Sequence, residues 1–291
     1  MTTHCSRPRV RARVRVRTLA AAAVSLLVLS GCGGSDSDVA ADPVGTPSAE
    51  VENDTDTGTS EPAGIDHPTG AEDVLLRIET GGGYAPVEYT FTRQPALLLT
   101  GDGRLFVPPA DLDSSRLIPM NVAQLDETQV QELLAMADDA GLLAPPPDYS
   151  PDADGPQVAD APTTTVSVTS SDGTWRHEAY ALGFNDQSDA RLVLSGFVDA
   201  ALEAVTDIET VPFEAAEVAL FVQETDFDEE VIDWPVDDVV LADVNGCAAV
   251  PADGVVEALS ATGPVVSFAQ GSALYSVAGA EVLPGIAPCG A

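Results

Sequence analysis

The chain has 291 residues, 45% of them hydrophobic, with 12 Lys+Arg against 47 Asp+Glu and a formal net charge of −35 at pH 7. That apolar content is enough to bury a core, and the length suits one or two domains. All the basic residues are arginines, and six of them (Arg7, Arg9, Arg11, Arg13, Arg15 and Arg17) precede the first acid, Asp36. Beyond them six arginines stand against 47 acids, a balance of −41. So acidic a body repels nucleic acid, whose binding depends on cations neutralising phosphates. The absence of lysine excludes a lysine Schiff base, a Ser-Lys dyad and a Walker A loop.

Leu19 to Leu29 follow the arginines as eleven residues, apolar except for Ser25. The run is shorter than the ~20 residues needed to cross a bilayer as a helix, and it reads as the apolar region of a signal peptide spanning 1–31. It closes on Leu29-Ser30-Gly31-Cys32, which resembles a bacterial lipobox. The resemblance implies cleavage before Cys32 and a diacylglycerol on its sulfur, anchoring the protein to the outer leaflet of the cytoplasmic membrane. An ordinary secretory signal with an incidental cysteine is the alternative. Paired arginines are missing ahead of the apolar run, which favours the general secretory route over twin-arginine export.

With Cys5 discarded and Cys32 lipidated, Cys247 and Cys289 remain as an even pair in an oxidising compartment, where a disulfide is expected and two free thiols are the alternative. Residues 32–70 are rich in Gly, Ser, Asp, Pro, Thr and Glu and read as a disordered acidic tether. Its reach is about 35 Å, extended further by self-repulsion.

Two lobes are expected beyond the tether, at 71–207 and 208–291. In the first, Val74 to Thr80 and Tyr89 to Thr92 have strand composition, and Ala96 to Val107 reads as a hairpin turning at Gly101-Asp102-Gly103. Asp126 and Gln129 form a capping box, with Leu125 stapling onto Val130. Val130, Leu133, Leu134 and Ala137 then share one helix face, which stops at Gly141. A second hairpin, Thr163 to Leu182, turns at Asp172-Gly173. A second helix, Ser188 to Val205, buries Leu194, Phe197, Val198, Ala201 and Val205. The fold class is therefore α+β: an antiparallel sheet packed on one face by two helices, followed by a smaller α+β lobe with one disulfide. In that smaller lobe Val218 to Val222 reads as a strand, Asp253 as the cap of a short helix, and Val265 to Val282 as a hairpin turning near Gln270-Gly271-Ser272.

Candidate chemistry is sparse. A nucleophile elbow of the form G-x-S-x-G is absent, and His177, the one histidine inside an expected element, shares a strand face with Trp175, Ala179 and Ala181 as a partly buried structural residue. Zinc would have to recruit His67 and His177 from far away. Asp152, Asp154 and Gly155 echo a calcium loop, but Ser150 and Ala161 occupy its end positions. Asp226, Asp228 and Glu230 alternate and, on an extended segment, would offer oxygen ligands from one side; a solvated acidic loop is the competing reading. No bound cofactor is expected, only diffuse association of divalent cations. Gly81-Gly82-Gly83 reads as a turn or bulge. Tyr84, Tyr89, Trp175 and Trp234 are the aromatic candidates for a sugar or peptide platform, with core packing as the alternative. The proline-rich run Ala144 to Pro162 is a long surface loop and a place to look for function.

Arg77-Ile-Glu-Thr-Gly-Gly-Gly-Tyr-Ala-Pro-Val-Glu-Tyr89, Gly101-Asp-Gly-Arg104, Asp160-Ala-Pro-Thr-Thr164, Tyr180-Ala-Leu-Gly183 and the closing Gly246-Cys247 and Pro288-Cys289 resemble a group of uncharacterised actinobacterial secreted lipoproteins. The resemblance covers most of 72–291. It implies an extracytoplasmic, lysine-poor lipoprotein and no particular activity, so no catalytic residue carries over. The expectation is a non-enzymatic, lipid-anchored surface protein that binds or scaffolds a cell-envelope protein or wall ligand. A carboxylate-based or calcium-dependent cell-wall hydrolase is the alternative, and an inert acidic coat a third reading.

Overall fold

The computed structural model describes residues 64–85, 92–110, 116–151, 158–184, 188–228, 230–244, 246–262, 266–287 and 289, all within the compact unit Thr59–Ala291. The apolar leader, Cys32, most of the tether, Tyr89 and the Asp152-Asp154-Gly155 segment lie outside the described residues.

The first sheet is built from β1 (Val74–Gly81), β2 (Leu97–Thr100), β3 (Arg104–Val107), β5 (Asn121–Gln124), β6 (Thr163–Ser170), β7 (Gly173–Tyr180) and β8 (Val211–Pro212). β4 (Leu117–Ile118) leaves it for a second sheet. The order is β7-β6-β1-β2-β3-β5-β8, with every pair antiparallel. Alternation sets the faces: Val166, Val168, His177 and Ala179 point inward, and their neighbours point out. A bulge between Val74 and Leu76 lets the adjacent Leu75 and Leu76 both bury.

Two helices, α1 (Glu127–Asp139) and α2 (Asp189–Thr206), share one core with the inner face, through Val130, Leu133, Leu134 and Ala137 and through Leu194, Phe197, Ala201 and Val205. Val198 is only half-buried. The capping box forms as expected: the Gln129 amide N–H donates to Asp126 Oδ1 at 2.9 Å, and the Asp126 amide N–H donates to Gln129 Oε1 at 3.0 Å. At the other end Leu142 N–H donates to Ala137 O and Gly141 N–H to Asp138 O, a Schellman stop that needs the positive φ of Gly141 (+70°).

The second sheet contains β9 (Glu217–Glu224), β10 (Val231–Asp233), β11 (Gly246–Pro251), β12 (Ser267–Gln270) and β13 (Ala273–Glu281), in the order β10-β12-β13-β9-β11, with β4 also on β13. It is mixed, since β10 runs parallel to β12 and β4 parallel to β13. Two short helices, α3 (Leu241–Val244) and α4 (Val255–Ser260), pack on it around Trp234, Phe268 and Val277. The cap of α4 differs from expectation. Gly254 occupies the cap in the left-handed conformation (φ +74°) with no side-chain hydrogen bond, which displaces Asp253 from that role. The disulfide Cys247–Cys289 is present, with Cα atoms 5.6 Å apart, and ties edge strand β11 to the chain end across 42 residues.

The first sheet is covered on both faces near its middle, not on one. Leu98 and Phe106 project away from the helices and meet Met120 and Leu283, with Phe213 and Ile286 packed around them. Into this seam projects Glu281, 4% exposed, whose Oε2 accepts from Met120 N–H at 2.7 Å. Burial outweighs that bond and pushes the carboxyl up to about 7 from 4.5. Below about pH 4.5 the proton is bound in folded and unfolded chains alike. Between 4.5 and 7 only the folded chain keeps it, so stability falls as pH rises through that window, by roughly 3 kcal/mol in total. Glu281→Gln should remove the loss: urea unfolding of the variant at pH 5 and pH 8 is expected to show a much smaller fall than the parent shows. Parallel falls would contradict the assignment.

A polar trough as the candidate functional site

The same alternation that buries Val166 and His177 places three rows of polar residues on the outer face of the first sheet. In register across β1, β6 and β7 these are Arg77, Ser167 and Arg176; Glu79, Thr165 and Glu178; and Gly81, Thr163 and Tyr180. The charged members form a chain of ion pairs. The Arg77 guanidinium donates to Glu79, Arg176 NH1 stands 3.8 Å from the same carboxylate, and Arg176 NH2 donates to Glu178 at 2.6 Å. Thr165, between the two acids, is almost covered.

Arg93 completes the site from the segment before β2. Its guanidinium lies against the backbone of Gly81, so closely that a Cβ there would collide with NH1. Among the described residues Arg93 meets no carboxylate and makes no side-chain hydrogen bond, although it is half-buried. Arg77 Nε is likewise buried with no hydrogen-bond partner. Three of the six arginines beyond residue 17 thus gather on one face.

Two cavities of 390 Å³ each share Arg176 and Glu178 and together make an open trough. One lies over Arg93, Gly82 and Thr163; the other is walled by Pro146, Pro147 and Pro151, with Tyr149 and Tyr180 beneath. The proline-rich run therefore supplies a wall. Tyr180 fastens the far part of that loop by donating to Val158 O and accepting from Ala161 N–H. Gly82 and Gly83 both have positive φ, and Gly83 packs against Asp160 O, so the glycine turn serves contact with the chain's own loop.

Behind the wall is a buried network. His177, fully buried, has Nε2 at 3.0 Å from Leu142 O and Nδ1 at 2.8 Å from the Tyr149 hydroxyl. A carbonyl only accepts, so Nε2 donates its proton to Leu142 O, while Nδ1 is bonded to the Tyr149 hydroxyl. Burial pushes the Tyr149 phenol up. Arg191, 2% exposed, donates to Tyr149 O, Tyr180 O and Ala181 O. His177→Phe should cost about 2–3 kcal/mol by orphaning the Tyr149 hydroxyl and Leu142 carbonyl, measured as a lower urea midpoint.

A larger groove of 860 Å³ runs beside α1, lined by Asp66, His67, Glu127, Gln131, Asp138 and Asp139 among others. Its central polar groups are already engaged. Gln131 accepts from Ile65 N–H and donates to Ile65 O, while the His67 ring meets Pro68 O and Glu127. For that reason the trough is the better candidate.

Asp226, Asp228 and Glu230 lie exposed between β9 and β10, and among the described residues no three His, Cys, Asp or Glu converge as a metal site. Trp234 is a core residue, its Nε1–H donating to Val239 O and its ring set edge-on to Phe268. Tyr84 stands 94% exposed beside the glycine turn. The trough charges escaped the sequence reading, yet they carried a signal: Arg77-Ile-Glu79 and Arg176-His-Glu178 repeat one Arg-x-Glu spacing on two strands. The chain matches no family model, and no curated protein is significantly similar to it.

Proposed function

We propose that this chain is a lipid-anchored binding module, displayed outside the cytoplasmic membrane on Cys32 and presenting the trough of the first sheet to an envelope ligand. The observation that carries the binding reading is the concentration of Arg77, Arg93 and Arg176 on one open polar face of an acidic protein. The anchor reading is supported by the Leu-Ser-Gly-Cys sequence, by the tether after it, and by the resemblance to actinobacterial lipoproteins. Among the described residues no helix is long and apolar enough to cross a membrane. Two acyl chains, at ~0.8 kcal/mol per buried methylene, hold a protein where one gives only reversible binding.

Hydrolysis by Glu79 and Glu178 is the competing use of the trough. Arg176 stands within ion-pair distance of both, which engages the two carboxylates as salt-bridge partners.

Cys32→Ala is expected to move the protein from the membrane fraction into the medium or leave its leader uncleaved; unchanged lipid labelling would remove the anchor. For the trough, a photo-cross-linking residue at Ser150, on the wall, should capture envelope material in native cells, whereas one at exposed Val240 should not. Equal capture at both positions would overturn the reading, as would turnover of wall glycan or peptide abolished by Glu178→Gln.

A further inference from the structure

We infer that the trough takes one oxyanion, the single carboxylate or phosphate of an otherwise uncharged ligand, at Arg93; this rests on the trough being the ligand surface. A half-buried guanidinium without a carboxylate is an uncompensated charge, and guanidinium matches planar carboxylate and phosphate oxygens through paired N–H donors. Arg93 is in that state among the described residues, whereas Arg77 and Arg176 are held by Glu79 and Glu178. Asp148, on the proline wall, balances the trough as a whole, so the excess of positive charge is local to Arg93. Arg77 Nε is buried and unbonded in the same ion-pair chain, but Arg77 lines neither cavity, which leaves Arg93 as the accessible guanidinium without a carboxylate. The hydroxyl-bearing Thr163 lines the cavity on the side of Gly81.

The surroundings set the ligand's charge. A formal −35 over the whole chain repels a polyanion, so a polymer with a phosphate on every unit is disfavoured against a ligand carrying one anionic group. The neighbouring cavity, walled by prolines over Tyr180, also carries Asp148 and Glu178, which oppose any second anionic group on the ligand.

Gly81 makes the site testable without deleting its cation. Its φ is not in the left-handed region, so alanine fits the backbone, but the new Cβ must push the Arg93 guanidinium aside. The experiment titrates the full-length protein in detergent at fixed ionic strength with inorganic phosphate and, separately, with N-acetyl-alanyl-alanine, following arginine side-chain resonances. At least one probe should saturate and shift the Arg93 Nε–H signal. Loss of one charge-assisted contact predicts binding weakened about tenfold or more in Arg93→Gln. Gly81→Ala should weaken it several-fold with unchanged thermal unfolding, and Arg104→Gln should leave it alone. Response to phosphate alone identifies a phosphate ligand, and response to the dipeptide alone a carboxylate. No saturation by either probe, or binding that survives Arg93→Gln, would overturn the inference. If the Ser150 cross-link persists in that case, the trough remains the ligand surface and only its anion preference falls.

Discussion

Arg191→Met is expected to lower the unfolding free energy by about 3–5 kcal/mol, read as a lower urea midpoint. Arg191 occupies the third position of α2, where its amide N–H caps on Ser188 Oγ and where the helix dipole disfavours a cation. Its presence there must be repaid elsewhere. The guanidinium donates to the carbonyls of Tyr149, Tyr180 and Ala181, thereby joining the helix start, the end of β7 and the trough wall. Ala181 is held in the left-handed region at φ +52°, an unfavourable conformation for a residue with a Cβ, and its N–H donates to Pro162 O. Methionine fills the space but leaves three carbonyls without that donor. Arg191→Lys should recover only part of the loss, because an ammonium lacks the planar spread of donors. A shift below 1 kcal/mol in the methionine variant would show that the clamp is dispensable.

Joint replacement of Cys247 and Cys289 by serine should cost a similar amount. Closing a loop with a separation of 42 residues restricts the unfolded chain by about 4 kcal/mol in the chain-entropy account. The folded side adds a reason. β11 is an edge strand paired only to β9 within its sheet, and the residues before Cys289 include Leu283 and Ile286, which fill the seam against Leu98 and Phe106. Freed from β11, that segment can lift away and expose the seam. Dithiothreitol should lower the urea midpoint of the parent to that of the serine variant and leave the variant unmoved. A parent midpoint indifferent to reductant would contradict the account.

Legibility followed the range of each interaction. The capping box of α1, the turns at Gly101-Asp102-Gly103 and Asp172-Gly173, and the apolar stripe of α2 all involve residues within a few positions of one another. β4, β8 and β10 have two or three residues each and too little pattern to read; β11 and β5 are hardly richer, and each is defined by its partner strand. The unequal covering of the first sheet could not be read either, because Leu283 reaches Leu98 from the far end of the chain. For the site, period-two spacing placed Arg77 with Glu79 and Arg176 with Glu178, but nothing local said that β1 and β7 flank the same strand. Arg93 was the least readable, since its position depends on a missing Cβ at Gly81. Arg191 falls on the buried side of the helical period, three residues before Leu194, but nothing local to the helix shows the three carbonyls that hold its guanidinium there.

Met120 and Glu281 meet although 161 residues separate them, and just before Met120 the strand β4 finds its place on β13. The order of synthesis therefore matters. When Leu117 leaves the ribosome, the strand that will pair with it has yet to be made, and it stays without that partner until Gly279 and Ala280 follow. Any truncation before residue 279 therefore leaves Leu117 without the strand that pairs with it.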